Sequence, residues 1–257
     1  MQLLSLGSDP EFFLVDREGK VQVSQGIVPG TKDRPKQLKH GAVHRDNVLC
    51  ELNPRPATCE EEFSDNTLAL MEEVSARILR PKGLSLLTKA SHEFEWEQLG
   101  SKEARTFGCL RDEGIWERMQ SPIDHSMCGN VRGAGGHVHL GIDGLTNGTL
   151  VTVISALDLL ISVPLVLIDP DKIRRKFYGQ AGKFRVKPYG IEYRTPSNAW
   201  CTSDNLRRWV YRQAKRAVDY PVSLLPETQQ MLVSCVDNSD VGRAEYLIDM
   251  FGLEVPT

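Results

Sequence analysis

Three short segments of the sequence place strongly polar residues two positions apart. The pairs are Asp9 with Glu11 in "GSDPEFFLVD", His137 with His139 in "GAGGHVHLGI", and Glu192 with Arg194 in "YGIEYRTPSNAW". Because successive side chains of a β-strand point to opposite faces, residues at this spacing share one face. The alternate positions are apolar or aromatic, so the opposite face of each strand can pack on helices. The sequence therefore predicts three strands that present polar pairs to a shared concavity.

A fourth segment, "NVLCELN", adds the carboxylate of Glu51 to this set. Several carboxylates and an imidazole that face one another would repel and raise each other's pKa values unless cations lie among them. Carboxylate-rich sets that include an imidazole suit Mg²⁺ or Mn²⁺, whereas tetrahedral zinc more often rests on histidine and cysteine. Since Mg²⁺ commonly binds through a few carboxylates together with substrate phosphates, the pattern favours a nucleoside triphosphate as ligand.

A basic segment, "KIRRKFYGQAGKFRVKPYG", directly precedes the strand that contains Glu192. Its cations are Arg174, Arg175, Lys176, Lys183, Arg185 and Lys187. Glycines within the segment would let a loop lie close to a ligand. Guanidinium groups suit phosphate and carboxylate contacts and neutralise charge that develops in phosphoryl transfer. Acidic groups for a metal and basic groups for phosphate thus occur in one chain.

The elements that must position these residues follow from periodicity. The run "EFFLVD" predicts a strand that turns at "REGK" and returns through "VQVS". Thr58 and Glu61 have the spacing of a capping box before a helix whose apolar positions include Leu68 and Met71, and which ends near Pro81. Helices are predicted over 203–220, 227–236 and 241–251. Strands separated and followed by helices indicate an α+β fold around a largely antiparallel sheet, in a single domain over residues 1–257.

Composition excludes several classes of protein. The chain has 257 residues, 40% of them hydrophobic and 25% charged, and a formal net charge of -3, which gives no reason to expect binding to nucleic acid or to a membrane surface. The apolar segment "TLVTVISALDLLISVPLVLI" contains Asp158 and Pro164, so a buried helix is expected rather than a membrane span. Six cysteines without a C-x-x-C pair are interpreted as reduced thiols of a cytoplasmic protein.

The quoted segments resemble the carboxylate-amine ligases of the glutamine synthetase and glutamate-cysteine ligase superfamily, and more closely the small ligase-type proteins of tailed phages. "DPEFFLVD" is similar to the first acidic strand of glutamine synthetase, "GAGGHVHLGI" to its glycine-rich histidine strand, and "GIEYRTPSNAW" to its Glu-x-Arg strand. "CELNPRPAT" is similar to the second acidic motif of the phage family. The segments occur in the same order as in the family.

The resemblance implies a fold like the catalytic domain of glutamine synthetase, with a curved sheet and helices packed on one side. It implies an ATP- and Mg²⁺-dependent (or Mn²⁺-dependent) ligase that joins a carboxylate to an amine through an acyl phosphate, in the host cytoplasm if the chain is encoded by a phage. The implied metal ligands are Glu11, Glu51, His137, Glu192 and Asp9. The implied nucleotide or substrate contacts are Arg194, Arg185, Lys183, Lys187 and His139, with Arg194, Arg185 and Glu192 as catalytic residues.

Two other functions remain open from the residues. A zinc hydrolase could use His137 and His139 together with an acid, and a non-catalytic nucleotide-binding relative could keep the fold without turnover. The excess of acids over histidines favours the ligase over the hydrolase. The sequence does not identify the carboxylate or the amine, and it leaves homo-oligomerisation open.

Overall fold

The computed structural model describes residues 1–105, 112–117, 129–220 and 222–256. The strands in these ranges are β1 (Gln2–Asp16), β2 (Val21–Gln22), β3 (Gly30–Thr31), β4 (Arg34–Leu38), β5 (Gly41–Asp46), β6 (Leu49–Pro54), β7 (Leu84–Leu87), β8 (Ser91–Glu93), β9 (Glu113–Gly114), β10 (Val131–Gly133), β11 (Gly136–Asp143), β12 (Lys183–Lys187) and β13 (Gly190–Tyr193). The α-helices are α1 (Glu60–Val74), α2 (Lys102–Arg105), α3 (Asn147–Leu157), α4 (Val163–Leu165), α5 (Asp204–Asp219), α6 (Pro226–Asp237) and α7 (Val241–Phe251).

Eleven of the described strands form one antiparallel sheet. Its order is β3-β4-β5-β6-β1-β11-β13-β12-β9, and β2 and β7 pair with the last residues of β1. Strands β8 and β10 form a separate pair. Together with the helices, this sheet confirms the predicted α+β class and the antiparallel arrangement. The predicted hairpin between "EFFLVD" and "VQVS" is present, with Leu14 opposite Gln22.

Strand β1 is the centre of the sheet because it is long enough to pair with several partners. Its first part pairs with β11 and its middle pairs with β6. Leu6, Phe12 and Leu14 lie on one face of β1 and are fully buried in the main hydrophobic core. By alternation, Asp9 and Glu11 project from the other face. One strand therefore fixes two carboxylates relative to both neighbouring strands.

Helices cover the apolar face of the sheet. Helix α1 contacts β5 and β6, α5 contacts β1, and both α1 and α3 pack against α5. The segment Asn147–Leu165 is long and apolar enough to cross a membrane by length and composition, and 72% of its most apolar window is buried inside the structure. Its middle turn is a π-helix over Asp158–Ser162, where the buried Asp158 carboxylate accepts hydrogen bonds from Trp116 Nε1 at 2.7 Å and the Tyr193 hydroxyl at 2.5 Å.

Two local predictions were wrong in detail. Helix α1 begins one residue later than the capping box required, because the Cys59 side chain accepts from the backbone N–H of Glu62, and Thr58 instead donates to the Glu62 carboxylate. Leu68 is exposed, and the buried face of α1 runs through Phe63, Leu70 and Val74. The second error concerns the basic segment, which is not a loop throughout, since its second half is strand β12.

Helices α5, α6 and α7 lie within one residue of their predicted bounds. The cysteines in the described ranges, Cys50, Cys59, Cys201 and Cys235, are free thiols. Cys109 and Cys128 lie outside the described residues.

Candidate active site

The polar face of the sheet holds two groups of ionisable side chains, one on each side of β1. The first group spans β1, β6 and β5, where Glu11 lies opposite Glu51 and Glu51 lies opposite His44. Asp46, two residues after His44 on the same face, brings a third carboxylate to this group. One ligand atom from each of Glu11, Asp46 and Glu51 lies within 4.8 Å of the other two. We call these three residues the acidic group.

The second group spans β1, β11 and β13. Asp9 lies opposite His137, and His139 lies opposite Glu192. Asp9 Oδ1 is 2.8 Å from His137 Nδ1, and Asp9 Oδ2 is 3.1 Å from His139 Nε2. Donor atoms of Asp9, His139 and Glu192 all lie within 4.8 Å of one another, and His137 Nδ1 lies 3.8 Å from Glu192 Oε1. We call these four residues the histidine group.

The glycines before the histidine strand allow this close approach. The backbone N–H of Gly135 donates to Glu11 Oε2 at 2.5 Å, and its carbonyl accepts from the N–H of Glu11 at 2.9 Å. A Cβ at Gly135 would lie 2.3 Å from His137 Nε2, and one at Gly136 would lie 2.3 Å from the carbonyl oxygen of Ser197. Side chains at these positions would therefore displace the site.

The "TPSNAW" segment holds the backbone of both site strands. Asn198 Nδ2 donates to the carbonyl of Glu11 at 2.7 Å, and Trp200 Nε1 donates to the carbonyl of Gly136 at 2.9 Å. Both residues are fully buried. This segment therefore stabilises the position from which the carboxylate of Glu11 projects.

Burial and mutual repulsion disfavour the charged forms of Glu11 and Glu51 in the acidic group. Burial, followed by the charges of Glu51 and Asp46, raises the pKa of Glu11 to about 8. Burial also raises the pKa of Glu51, although His44 Nε2, 3.4 Å from Glu51 Oε2, opposes the shift. Like charges in a buried site favour protonation unless a cation joins them. The acidic group can therefore accept a divalent cation in exchange for protons.

The histidine group is balanced by neighbouring cations. Burial alone would raise the pKa of Glu192, but Arg194, His137 and Lys187 outweigh it and lower that pKa to about 2. For Asp9, too, the two histidines outweigh burial and hold the pKa well below its usual value. Burial and the charge of Arg194 lower the pKa of His137, so this imidazole is neutral near pH 7 and can act as a ligand.

Two arginines converge beside Glu192. Arg194 Nη1 forms a very short ion pair with Glu192 Oε1, and Arg185 Nη1 lies 3.6 Å from the same oxygen. Both guanidinium groups also contact one oxygen of Asp112, each at 2.9 Å. Lys187 Nζ lies 2.5 Å from Glu192 Oε2. This arrangement places three cations around a carboxylate, where they could bind the oxygens of a phosphate or an acyl phosphate.

Other cations of the basic segment lie away from Glu192 or support the backbone. Lys183 lies at the far end of β12, with its ammonium 3.8 Å from Glu117, and is not among the cations around Glu192. Arg174 is buried and donates to the carbonyls of Thr195 and Pro196 at 2.9 and 3.0 Å. Arg175 is buried as well and bonds elsewhere. Arg174 and Arg175, in the first half of the basic segment, thus support the fold.

Sequence reasoning missed four residues that the fold brings to the site. Asp46 had a usable signal, because "HRD" repeats the spacing of polar residues two apart immediately before "NVLCELN". Tyr178 lies within the basic segment, and its hydroxyl is 2.5 Å from His137 Nε2. Tyr189 contacts His139 Nδ1 at 2.7 Å. Asp112 has no local signal, since its neighbours show no periodicity.

The donor sets fit divalent cations. Adjacent ligands of an octahedral Mg²⁺ are about 3 Å apart, because metal–oxygen bonds are about 2.1 Å long and meet at right angles. The separations of Asp9 from His137 and His139, 2.8 and 3.1 Å, are close to this value. His139 Nε2 is shielded from solvent and lies 3.1 Å from Asp9 Oδ2, so a cation bound here would have both atoms within reach.

Space for a ligand adjoins the acidic group. A cleft of about 540 Å³ is lined by residues 31–33, 45–47 and 102–103, and Asp46 belongs both to this lining and to the acidic group. The wall carries charges of both signs, among them Lys32 at 3.7 Å from Asp46 and Arg45 at 2.8 Å from Glu103. A ligand in the cleft would therefore have one end beside the acidic group.

Residues 126–233 match the family described as phage phiEco32-like COOH.NH2 ligase-type 2. Over these residues the chain is similar to this carboxylate-amine ligase family. The match covers somewhat less than half of the chain and includes the histidine strand, the two arginines and Glu192, whereas Asp9, Glu11 and Glu51 precede it. This similarity supports formation of a C–N bond between a carboxylate and an amine as the activity. A comparison with curated proteins found no match.

Proposed function

We propose that this protein is a carboxylate-amine ligase that uses ATP and Mg²⁺ and forms its amide or peptide-like bond through an acyl phosphate. The supporting observation is the placement of two carboxylate-rich groups and a cluster of cations on one face of a single sheet. In the proposed reaction, a substrate carboxylate attacks the γ-phosphate of ATP, which gives an acyl phosphate and ADP. The amine then attacks the acyl carbon, and phosphate and a proton are released.

The residues take distinct roles in this proposal. The acidic group and the histidine group would each hold a divalent cation, and Mg²⁺ would supply charge that stabilises the phosphoryl oxygens in the transition state. Arg185 and Arg194 would bind the transferred phosphoryl group, and Lys187 would neutralise further charge. Their contacts with Glu192 hold the guanidinium groups in place before ATP binds.

A hydroxylamine assay tests this function. The protein is incubated with ATP, Mg²⁺, hydroxylamine and a panel of carboxylates that includes amino acids, peptides and cell-wall fragments, and both ADP and hydroxamate are measured. We expect one class of carboxylate to give both products in equal amounts. Glu192→Gln should lower the rate by on the order of a thousandfold because a ligand carboxylate is lost. Glu18→Gln, at an exposed turn, serves as the matched control.

Metal analysis separates this function from a zinc hydrolase. The histidine group contains two imidazoles beside Asp9, which is the feature that a zinc site would use. Protein dialysed without chelator should retain no stoichiometric zinc if the proposed ligase is correct. Retained zinc, together with ATP-independent hydrolysis of an amide, would refute the ligase proposal. ATP binding without hydroxamate from any carboxylate would indicate a non-catalytic relative.

A further inference from the structure

We propose that Tyr178 and Tyr189 are positioning residues that fix the two imidazoles of the histidine group for cation binding. Each tyrosine hydroxyl engages one nitrogen of a histidine ring and leaves the other nitrogen directed toward Asp9. The assignment rests on the proposed function, because it requires a cation in the histidine group. Neither tyrosine is a ligand itself, so each acts through its histidine.

The buried pair is Tyr178 with His137. The Tyr178 hydroxyl lies 2.5 Å from Nε2 of His137, and the two rings meet edge to face at 5.7 Å. The other nitrogen, Nδ1, lies 2.8 Å from Asp9 and 3.8 Å from Glu192. Arg194 Nη2 donates to the Tyr178 hydroxyl at 3.0 Å and so fixes the oxygen in place.

In the second pair, Tyr189 with His139, the two ring nitrogens exchange roles: Nδ1 contacts the tyrosine and Nε2 faces Asp9. The Tyr189 hydroxyl lies 2.7 Å from Nδ1 of His139, and the two rings are stacked with an interplanar angle of 15°. Nε2 of His139 is the atom directed toward Asp9, at 3.1 Å. The two histidines therefore flank Asp9 with different nitrogens, and each has a tyrosine on its far side.

This arrangement has a direct consequence for the protonation of the rings. A ring nitrogen that binds a cation carries no proton, so in a neutral imidazole the proton lies on the other nitrogen and needs an acceptor. With a cation bound, Nε2–H of His137 would donate to Tyr178, and Nδ1–H of His139 would donate to Tyr189. The Tyr178 proton is then available to Glu11 Oε1, 3.3 Å away, which connects the histidine group to the acidic group.

Cation binding measured without turnover tests the assignment. The affinity for Mn²⁺ alone is measured by electron paramagnetic resonance for the wild type, Tyr178→Phe, Tyr189→Phe and Tyr193→Phe. Loss of a hydrogen-bond partner behind a metal ligand typically weakens binding 10- to 100-fold, and we expect this loss for the first two variants. Tyr193→Phe removes a buried hydroxyl bonded to Asp158 and Ser162, on the face of β13 opposite Glu192, and should leave the affinity unchanged.

A second measurement keeps the assignment testable if a variant fails to fold. Nitrogen-15 spectra of the Mg²⁺-loaded wild type should show His137 as the Nε2–H tautomer and His139 as the Nδ1–H tautomer. The same tautomer at both histidines would overturn the assignment, as would wild-type Mn²⁺ affinity in both tyrosine variants. A wild type that binds no Mn²⁺ would refute the cation site and with it the proposed function, whereas intact binding in all variants refutes only the role of the tyrosines.

Discussion

Replacement of Glu11 by glutamine should make the cation-free protein more stable at alkaline pH. The Glu11 carboxyl is buried beside Glu51 and Asp46, and its pKa rises from an ordinary value of 4.5 to about 8. A carboxyl with a raised pKa binds its proton more tightly in the folded than in the unfolded state. Its contribution to stability is therefore fully present below pH 4.5 and is lost as the pH rises to 8.

The size of the expected stability difference follows from the pKa shift of Glu11. A shift from 4.5 to about 8 corresponds to at most about 5 kcal/mol at pH 8, at about 1.4 kcal/mol for each unit of pKa. Relaxation of the site and entry of water reduce this limit, so we expect Glu11→Gln to be more stable than the wild type by about 2 to 4 kcal/mol. For a chain of this length, that difference raises the melting temperature by on the order of 10 °C.

Thermal unfolding in a chelating buffer at pH 5, 6, 7 and 8 measures this difference. The melting temperatures of the two proteins should diverge steadily as the pH rises. Added Mg²⁺ should stabilise the wild type more than the variant, because only the wild type keeps all three carboxylates. Glu18→Gln, at an exposed position, should follow the wild type at every pH. Parallel curves for Glu11→Gln and the wild type, or equal stabilisation of both by Mg²⁺, would refute the account of a strained acidic group.

Three further predictions concern groups around the site. Asp112→Asn should tighten the binding of inorganic pyrophosphate about 3- to 10-fold, measured by calorimetry, because a carboxylate that competes for Arg185 and Arg194 is lost. Weaker binding would mean that Asp112 orients the two arginines instead. Gly135→Ala should abolish cation binding, since its Cβ would overlap the ring of His137. Gly148→Ala, at the open start of helix α3, should bind cations normally. Equal affinities of the two variants would contradict this reason. Tyr193→Phe should lower the unfolding free energy by about 1 to 3 kcal/mol, measured by urea denaturation, because Asp158 loses a buried donor; an unchanged value would show that water replaces the hydroxyl.

The sequence predicted the site strands well because their signal is local. Alternation along "GHVHLGI" needs only neighbouring residues, so it assigned His137 and His139 to one face and Val138 and Leu140 to the other, as the structure has them. The start of helix α1 was wrong by one residue because Cys59, a less usual cap, competes with Thr58.

The roles of the basic residues could not be separated by sequence. Arg174 and Arg185 belong to the same charged run, yet one supports the backbone of "TPSN" and the other contacts Glu192. The difference depends on where the run turns back to form strand β12, and hence on pairing with β13. Charge alone does not indicate which cations are buried for structural reasons.

The sequence by itself determined which side chains share a face, because the two-residue period of a strand is a property of the chain alone. Only the tertiary structure decided which faces meet. Glu11 and Glu51 lie opposite each other through the pairing of β1 with β6, and Asp46 from β5 and Tyr178 from the basic segment join them. Register between strands depends on the long-range pairing and burial of the whole sheet, and this pairing turned four separate segments into two adjacent groups of ligands.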